Sequence, residues 1–185
     1  AGHSCASLAN GGAACWGRNR SGQLGDGTTV HRWSPQVVVS AGDGLTGVSV
    51  GATHSCGISA SGTVKCWGDN THGSVGDGTR ITRLQPTAVA GSPFVAHEVG
   101  AGEFFSCARS ATNVFCWGQG FMGQLGNANY SGSDIPVPVA AISGSVTSLS
   151  VGRQHACAVV DGGVKCWGYN LNGLLGDGTI IATSI

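Results

Sequence analysis

The residues able to do chemistry in this sequence recur in a fixed pattern. His3, Cys5 and Cys15 form one set, and His54, Cys56 and Cys66 repeat it. Phe105, Cys107 and Cys116 form a third set, and His155, Cys157 and Cys166 a fourth. Three chemistries compete for such residues. A structural zinc wants four closely spaced thiolates and imidazoles, but each set offers at most three ligands. The third set has Phe105 in place of the histidine, and no C-x-x-C occurs anywhere. A general base needs a converging group of unlike residues, whereas His3, His54 and His155 recur one per set. They read better as structural groups bonded to a neighbouring turn. The remaining chemistry is disulfide formation.

The spacing supports it. If Cys56 and Cys66 face each other on an antiparallel hairpin, Ile58 faces Val64, Ser59 pairs with Thr63, and Ala60-Ser61-Gly62 forms a three-residue loop. Gly62 then falls where a left-handed residue is wanted. Ala9-Asn10-Gly11 does the same in the first set. In the fourth, Cys157 and Cys166 are one residue closer, and the loop shrinks to Asp161-Gly162, a strong tight-turn dipeptide. Ala111-Thr112 takes that place in the third, with weaker turn chemistry. The loop changes length while the cysteines stay opposite, at a Cα separation of about 4.5 Å for a non-hydrogen-bonded pair, close enough for sulfurs to meet. The expected bonds are Cys5–Cys15, Cys56–Cys66, Cys107–Cys116 and Cys157–Cys166. Disulfides imply an oxidising compartment, so the chain is expected to be extracellular, on a cell surface or periplasmic.

The hairpins sit within a longer repeat. The tripeptide CWG starts at Cys15, Cys66, Cys116 and Cys166, giving about 3.6 repeats of 50–51 residues. Each is followed by a Gly-rich stretch such as GRNRSGQLGDGT from Gly17, and in the first three repeats a proline (Pro35, Pro86, Pro136) and short apolar runs come next. No segment keeps helical periodicity over three turns. Four short strands per repeat, punctuated by Gly, Asn, Asp and Pro, predict an all-β fold of four-stranded antiparallel blades, a β-propeller. The recurring G-x-x-H-[ST], W-G-x-N-x-x-G-Q-L-G-D-G-T and R-x-x-P pattern resembles the repeat of the regulator-of-chromosome-condensation family over the whole chain, 1–185. The resemblance implies a propeller that usually has seven blades. It leaves function open, since such propellers serve as exchange factors, light receptors, inhibitors and adaptors. These residues are therefore expected to form an open arc, a partial propeller whose remaining blades come from the same chain or from other copies.

Composition narrows the function. Nine basic and nine acidic residues are scattered singly, for a formal net charge of zero. A nucleic-acid binder needs a basic stripe that displaces counterions, so nucleic acid is not an expected partner. No apolar run reaches the ~18 residues of a membrane span, so membrane insertion is not expected. No leader-like segment opens the chain, and Met122 is its single methionine. A processed chain or part of a longer one is the expectation. One carboxylate per repeat, at Asp26, Asp77 and Asp177, is too few for calcium, which takes ~6–8 oxygens. A turn role for these residues is preferred. No enzyme activity and no cofactor are expected. Asn19 and Asn129 match the N-glycosylation acceptor pattern, although Asn19 shares a repeated turn position with Asn70 and Asn170. Phe104, Phe105, Phe121, Met122 and Tyr130 distinguish the third repeat and form a candidate contact surface, the alternative being repacking within that blade. The expected function is a non-enzymatic extracellular protein-binding or scaffolding propeller. The alternatives are a subunit of a surface layer or filament, and a guanine-nucleotide exchange factor for a small GTPase.

Overall fold

The computed structural model describes residues 2–39, 44–91 and 94–185. Fourteen strands and no α-helix occur among them. The first sheet contains β1 (His3–Ser7), β2 (Ala13–Gly17) and β3 (Arg32–Val39). The second contains β4 (Leu45–Val50), β5 (His54–Ser59), β6 (Val64–Gly68) and β7 (Arg83–Ala88). The third contains β8 (Glu98–Ala101), β9 (Phe105–Arg109), β10 (Val114–Gly118) and β11 (Ser133–Pro138). The fourth contains β12 (Val146–Val151), β13 (His155–Val160) and β14 (Gly163–Gly168), with a lone bridge between Gly168 and Thr183 at its outer edge. Every sheet is an antiparallel meander in chain order, the architecture of propeller blades. No helix among the described residues is long and apolar enough to cross a membrane.

Local chemistry explains the blades. Cys56 faces Cys66 and Ile58 faces Val64, and Ser59 donates its amide to Thr63. Gly62 takes φ 78° at the loop's left-handed position. In the fourth hairpin Val160 faces Gly163, and both Asp161 and Gly162 have positive φ, as a primed two-residue turn requires. Ala111 and Thr112 carry no positive φ, and the Ser110 hydroxyl accepts from the Thr112 and Asn113 amides instead. Pro35, Pro86 and Pro136 lie on the outer strands β3, β7 and β11, where a missing amide interrupts no further ladder. The outer pairings slip by two residues at the same place each time, between Cys15 and Gly17, Cys66 and Gly68, and Cys116 and Gly118. The extra residues lie on the outer strand, and the tryptophan opposite them pairs only with the inner strand.

The core lies between sheets. One cluster joins Ala13, Cys15 and Leu24 to Leu45 and Trp67. A second joins Cys56, Val64 and Val75 to Ala101 and Trp117. A third joins Phe105, Val114 and Leu125 to Leu149 and Trp167. No such cluster joins the fourth sheet to the first among the described residues. The outward faces of those two sheets are bare: Val164 is 70% exposed, whereas Val64 and Val114 at the same repeat position are buried. The arrangement is an open arc of blades.

Candidate functional site

Four disulfides connect Cys5–Cys15, Cys56–Cys66, Cys107–Cys116 and Cys157–Cys166, with Cα atoms 4.0–4.1 Å apart. They lock the inner hairpins whose far ends carry the seams between blades. At the first seam the Trp67 indole N–H donates to the Gln23 carbonyl at 3.0 Å. The Ser55 hydroxyl donates to the same carbonyl at 2.8 Å. Because that hydroxyl spends its one proton there, the 2.7 Å contact between His3 Nε2 and Ser55 Oγ must have the imidazole as donor. The second seam repeats this with Trp117, Ser106, the Ser74 carbonyl and His54, whose Nε2 lies 2.8 Å from Ser106 Oγ. The Nδ1 atoms of His3, His54 and His155 have no hydrogen-bond partner among the described residues. Burial pushes the pKa of His54 down to about 4, with the charge of His3 adding to the effect. Burial lowers His3 to about 4 as well. These are neutral structural donors and not poised bases.

The third seam is built differently. Trp167 still donates to the Gln124 carbonyl at 3.1 Å. The histidine position holds Phe105 and the serine position holds Ala156, both fully buried. The polar pair has thus been exchanged for an apolar pair, which leaves no orphaned donor. Phe105 is therefore core, and it does not belong to an exposed contact surface.

The long turns after each CWG are held by a polar knot. Asn70 Nδ2 donates to Asp77 Oδ1 and to the Thr79 and Ile81 carbonyls, while its Oδ1 accepts the Val75 amide. Asp77 also accepts from the Thr79 hydroxyl and the Arg83 guanidinium. Asn19 with Asp26, and Asn170 with Asp177, build the same knot. Partial burial works against ionisation of Asp26 and Asp77. Hydrogen bonds from Thr28 and Arg32, and from Thr79 and Arg83, outweigh it and hold both carboxyls below their ordinary pKa. Asn19 is completely buried with its amide fully engaged, so in the folded chain it is closed to modification.

Among the described residues, the third repeat alone lacks this knot. Gly120 stands where the asparagine belongs, and a side chain there would collide with the Ser131 carbonyl, which has moved into the space. Asn127 replaces the aspartate and keeps a buried Oδ1 without a partner. Ala128 replaces a glycine yet holds φ 60°, a strained position for a side chain-bearing residue. Sequence reading does not single out Gly120. Aligning the repeats on CWG, four residues upstream of it, would have exposed the loss. The same turn displays Phe121 at 65%, Tyr130 at 52% and Met122 at 40% exposure. Asn129 is exposed beside them, its Oδ1 accepting the Ser131 amide. Phe104 is half-buried and stacks on His72 with ring centroids 4.9 Å apart. Of the five third-repeat residues, Phe121, Met122 and Tyr130 therefore share one exposed turn, and Phe104 lies at the same end of the sheets.

At that end the inner strands β4, β8 and β12 finish around an open cleft of about 580 Å³, lined by Gly51, Ala52, Gly102, Glu103, Gly152 and Arg153. Glu103 accepts from Arg153 and from Gln154, each at 2.7 Å. The Arg153 hydrogen bond holds the Glu103 carboxyl below its usual range against the opposing effect of burial. No group of three or more potential metal ligands occurs among the described residues.

Comparison with known proteins agrees with this architecture. The model of the regulator of chromosome condensation (RCC1) repeat matches residues 10–58, 61–109 and 113–159, and a second model of the same repeat matches 45–74 and 146–174. The E3 ubiquitin-protein ligase HERC2 of Homo sapiens is 43% identical over 77 residues, covering 41% of this chain and 2% of that protein. The crystal structure of human WBSCR16 superposes with a TM-score of 0.88 at 22% identity, covering 99% of this chain and 49% of that one. Yeast RCC1 (Prp20), solved bound to Kap60, gives 0.79 at 18% identity, covering 95% and 44%. The chain spans less than half the length of these solved structures and a small part of its curated relative.

Proposed function

We propose that this chain, which belongs to the RCC1 repeat family, is a non-catalytic protein-binding propeller of an oxidising compartment, and that the third repeat's turn touches the partner. One observation carries the reading. The third turn has given up a polar knot that every other repeat keeps, and the residues it displays instead are Phe121, Met122 and Tyr130. Aromatic residues and methionine are the types enriched at the centres of protein interfaces. A turn held at Ala128 in a left-handed conformation, with Asn127 unsatisfied, costs stability, and contact energy is a reason for a chain to keep it. The yeast propeller of the same fold was solved in a complex with another protein, which supports a binding role. The four disulfides support an extracellular, surface or periplasmic setting. The nucleotide-exchange alternative is not favoured.

The test places a photo-crosslinking amino acid at Phe121 or Tyr130, and at Thr112 on the opposite end of the sheets as control. Irradiation in the native milieu should give a discrete adduct from positions 121 and 130 only. Equal labelling from 112, or none from 121 and 130, overturns the site. Finding free thiols at the eight cysteines of native material overturns the compartment.

A further inference from the structure

Two asparagines meet the N-glycosylation acceptor pattern, Asn19 before Arg20-Ser21 and Asn129 before Tyr130-Ser131, and neither suits a glycan. The modification joins Nδ2 to the anomeric carbon of a sugar carried on a lipid pyrophosphate, which departs as Nδ2 loses a proton. The product is bulky and belongs on a surface. Asn19 offers no such place. Its Nδ2 donates to Asp26 Oδ1 at 3.1 Å and to the Thr28 and Val30 carbonyls at 3.0 and 3.1 Å, and the whole residue is buried. A sugar on Nδ2 would stand where those acceptors stand, so the knot and the glycan exclude each other.

Folding does not shield Asn19 in time. In eukaryotic secretion the sugar is added as the chain enters the compartment, before it folds. Every partner of the Asn19 side-chain amide, from Leu24 to Val30, lies downstream of the acceptor, so the asparagine is presented before the knot can close over it. The turn requires this asparagine: Asn70 and Asn170 hold the same position, equally buried and with the same bonds. It does not require the hydroxyl that completes the acceptor. The residues matching Ser21 in the other repeats are His72, Met122 and Asn172, and Ser21 is tied in through its backbone amide, which donates to Gln23 Oε1 at 2.9 Å. One substitution at position 21 would abolish the acceptor and leave the knot intact.

Asn129 is the opposite case. It is exposed, and its Oδ1 accepts the Ser131 amide at 2.8 Å, so a glycan fits the fold. It would stand next to Tyr130, however, and cover the turn proposed to touch the partner. We infer, building on the oxidising setting proposed above, that the chain matures in a compartment reached without asparagine-linked glycosylation, as a periplasm is, and not along a eukaryotic secretory pathway. Ser21 persists because no transferase meets the unfolded chain.

Peptide mapping of native material tests this. Paired cysteines with Asn19 and Asn129 both bare is the expected result. A glycan on either asparagine, with the disulfides intact, overturns the inference and leaves the oxidising setting standing. Free thiols overturn that setting, and the inference with it. A second measurement sends the 185-residue chain and its Ser21→Ala variant through a eukaryotic secretory pathway behind a cleavable leader. The parent should carry a glycan on Asn19 and be secreted about tenfold less than Ser21→Ala, because the buried amide bonds of the knot are lost. Sent to a bacterial periplasm, the two should accumulate equally. A parent secreted as well as Ser21→Ala from the eukaryotic host overturns the inference. So does a parent and variant that differ in the periplasm, because Ser21 would then serve the fold itself.

Discussion

Replacing His54 and Ser106 by the Phe–Ala pair of the third seam should cost far less than replacing either alone. Ser106 is an acceptor for His54 Nε2 at 2.8 Å and a donor to the Ser74 carbonyl at 2.9 Å. Ser106→Ala leaves that carbonyl with Trp117 at 3.0 Å but strands the buried His54 N–H, a loss of about 1–3 kcal/mol. His54→Phe leaves Ser106 bonded to the Ser74 carbonyl and removes only one contact, a loss of about 1 kcal/mol. In the double variant no donor is orphaned, and a ring of similar shape packs over Gly51 as Phe105 packs over Gly102. Its stability should return to within about 1 kcal/mol of the parent, giving a coupling energy of about 1–2 kcal/mol. The readout is amide exchange in β5, β6, β9 and β10 of the oxidised protein, since a row of blades need not unfold as one unit. Losses that simply add in the double variant would refute the reasoning, because the histidine and serine would then be acting independently.

Acid should open the polar seams first. His54 falls from an ordinary 6.5 to about 4 on folding, so stability is fully present above pH 6.5, declines as pH falls toward 4 and levels off below it. The total loss from this residue is about 3 kcal/mol, seen as lost protection at the first two seams while the Phe105–Ala156 seam is unaffected; His54→Phe/Ser106→Ala should remove the His54 part. Trp67→Ala should destabilise by about 3–5 kcal/mol in urea unfolding, as expected for emptying a fully buried aromatic site. Graded reduction followed by alkylation and mass mapping should open Cys157–Cys166 and Cys5–Cys15, which include partly exposed cysteines, before the fully buried Cys56–Cys66 and Cys107–Cys116.

What the sequence determined by itself was everything decided within about ten residues. The separation of Cys56 from Cys66, the glycine at position 62 and the Asp161-Gly162 dipeptide set hairpin register, and register set the four disulfides. Repeat spacing and turn residues gave the blades, because an antiparallel meander is built from neighbours in the chain. The tertiary structure decided what lies between blades. The partners of His3, His54, Trp67 and Trp117 are 43–52 residues away, and no local pattern names them. Phe105 was for that reason grouped with exposed aromatics, when its proximity to a neighbouring repeat that offers Ala156 in place of serine makes it core. Gly120 went unremarked because its meaning lies in the backbone of Ser131 filling the space of a missing asparagine. Strand pairing follows chain order and is legible in the sequence, whereas seam chemistry pairs side chains one whole repeat apart and exists only once the blades have stacked.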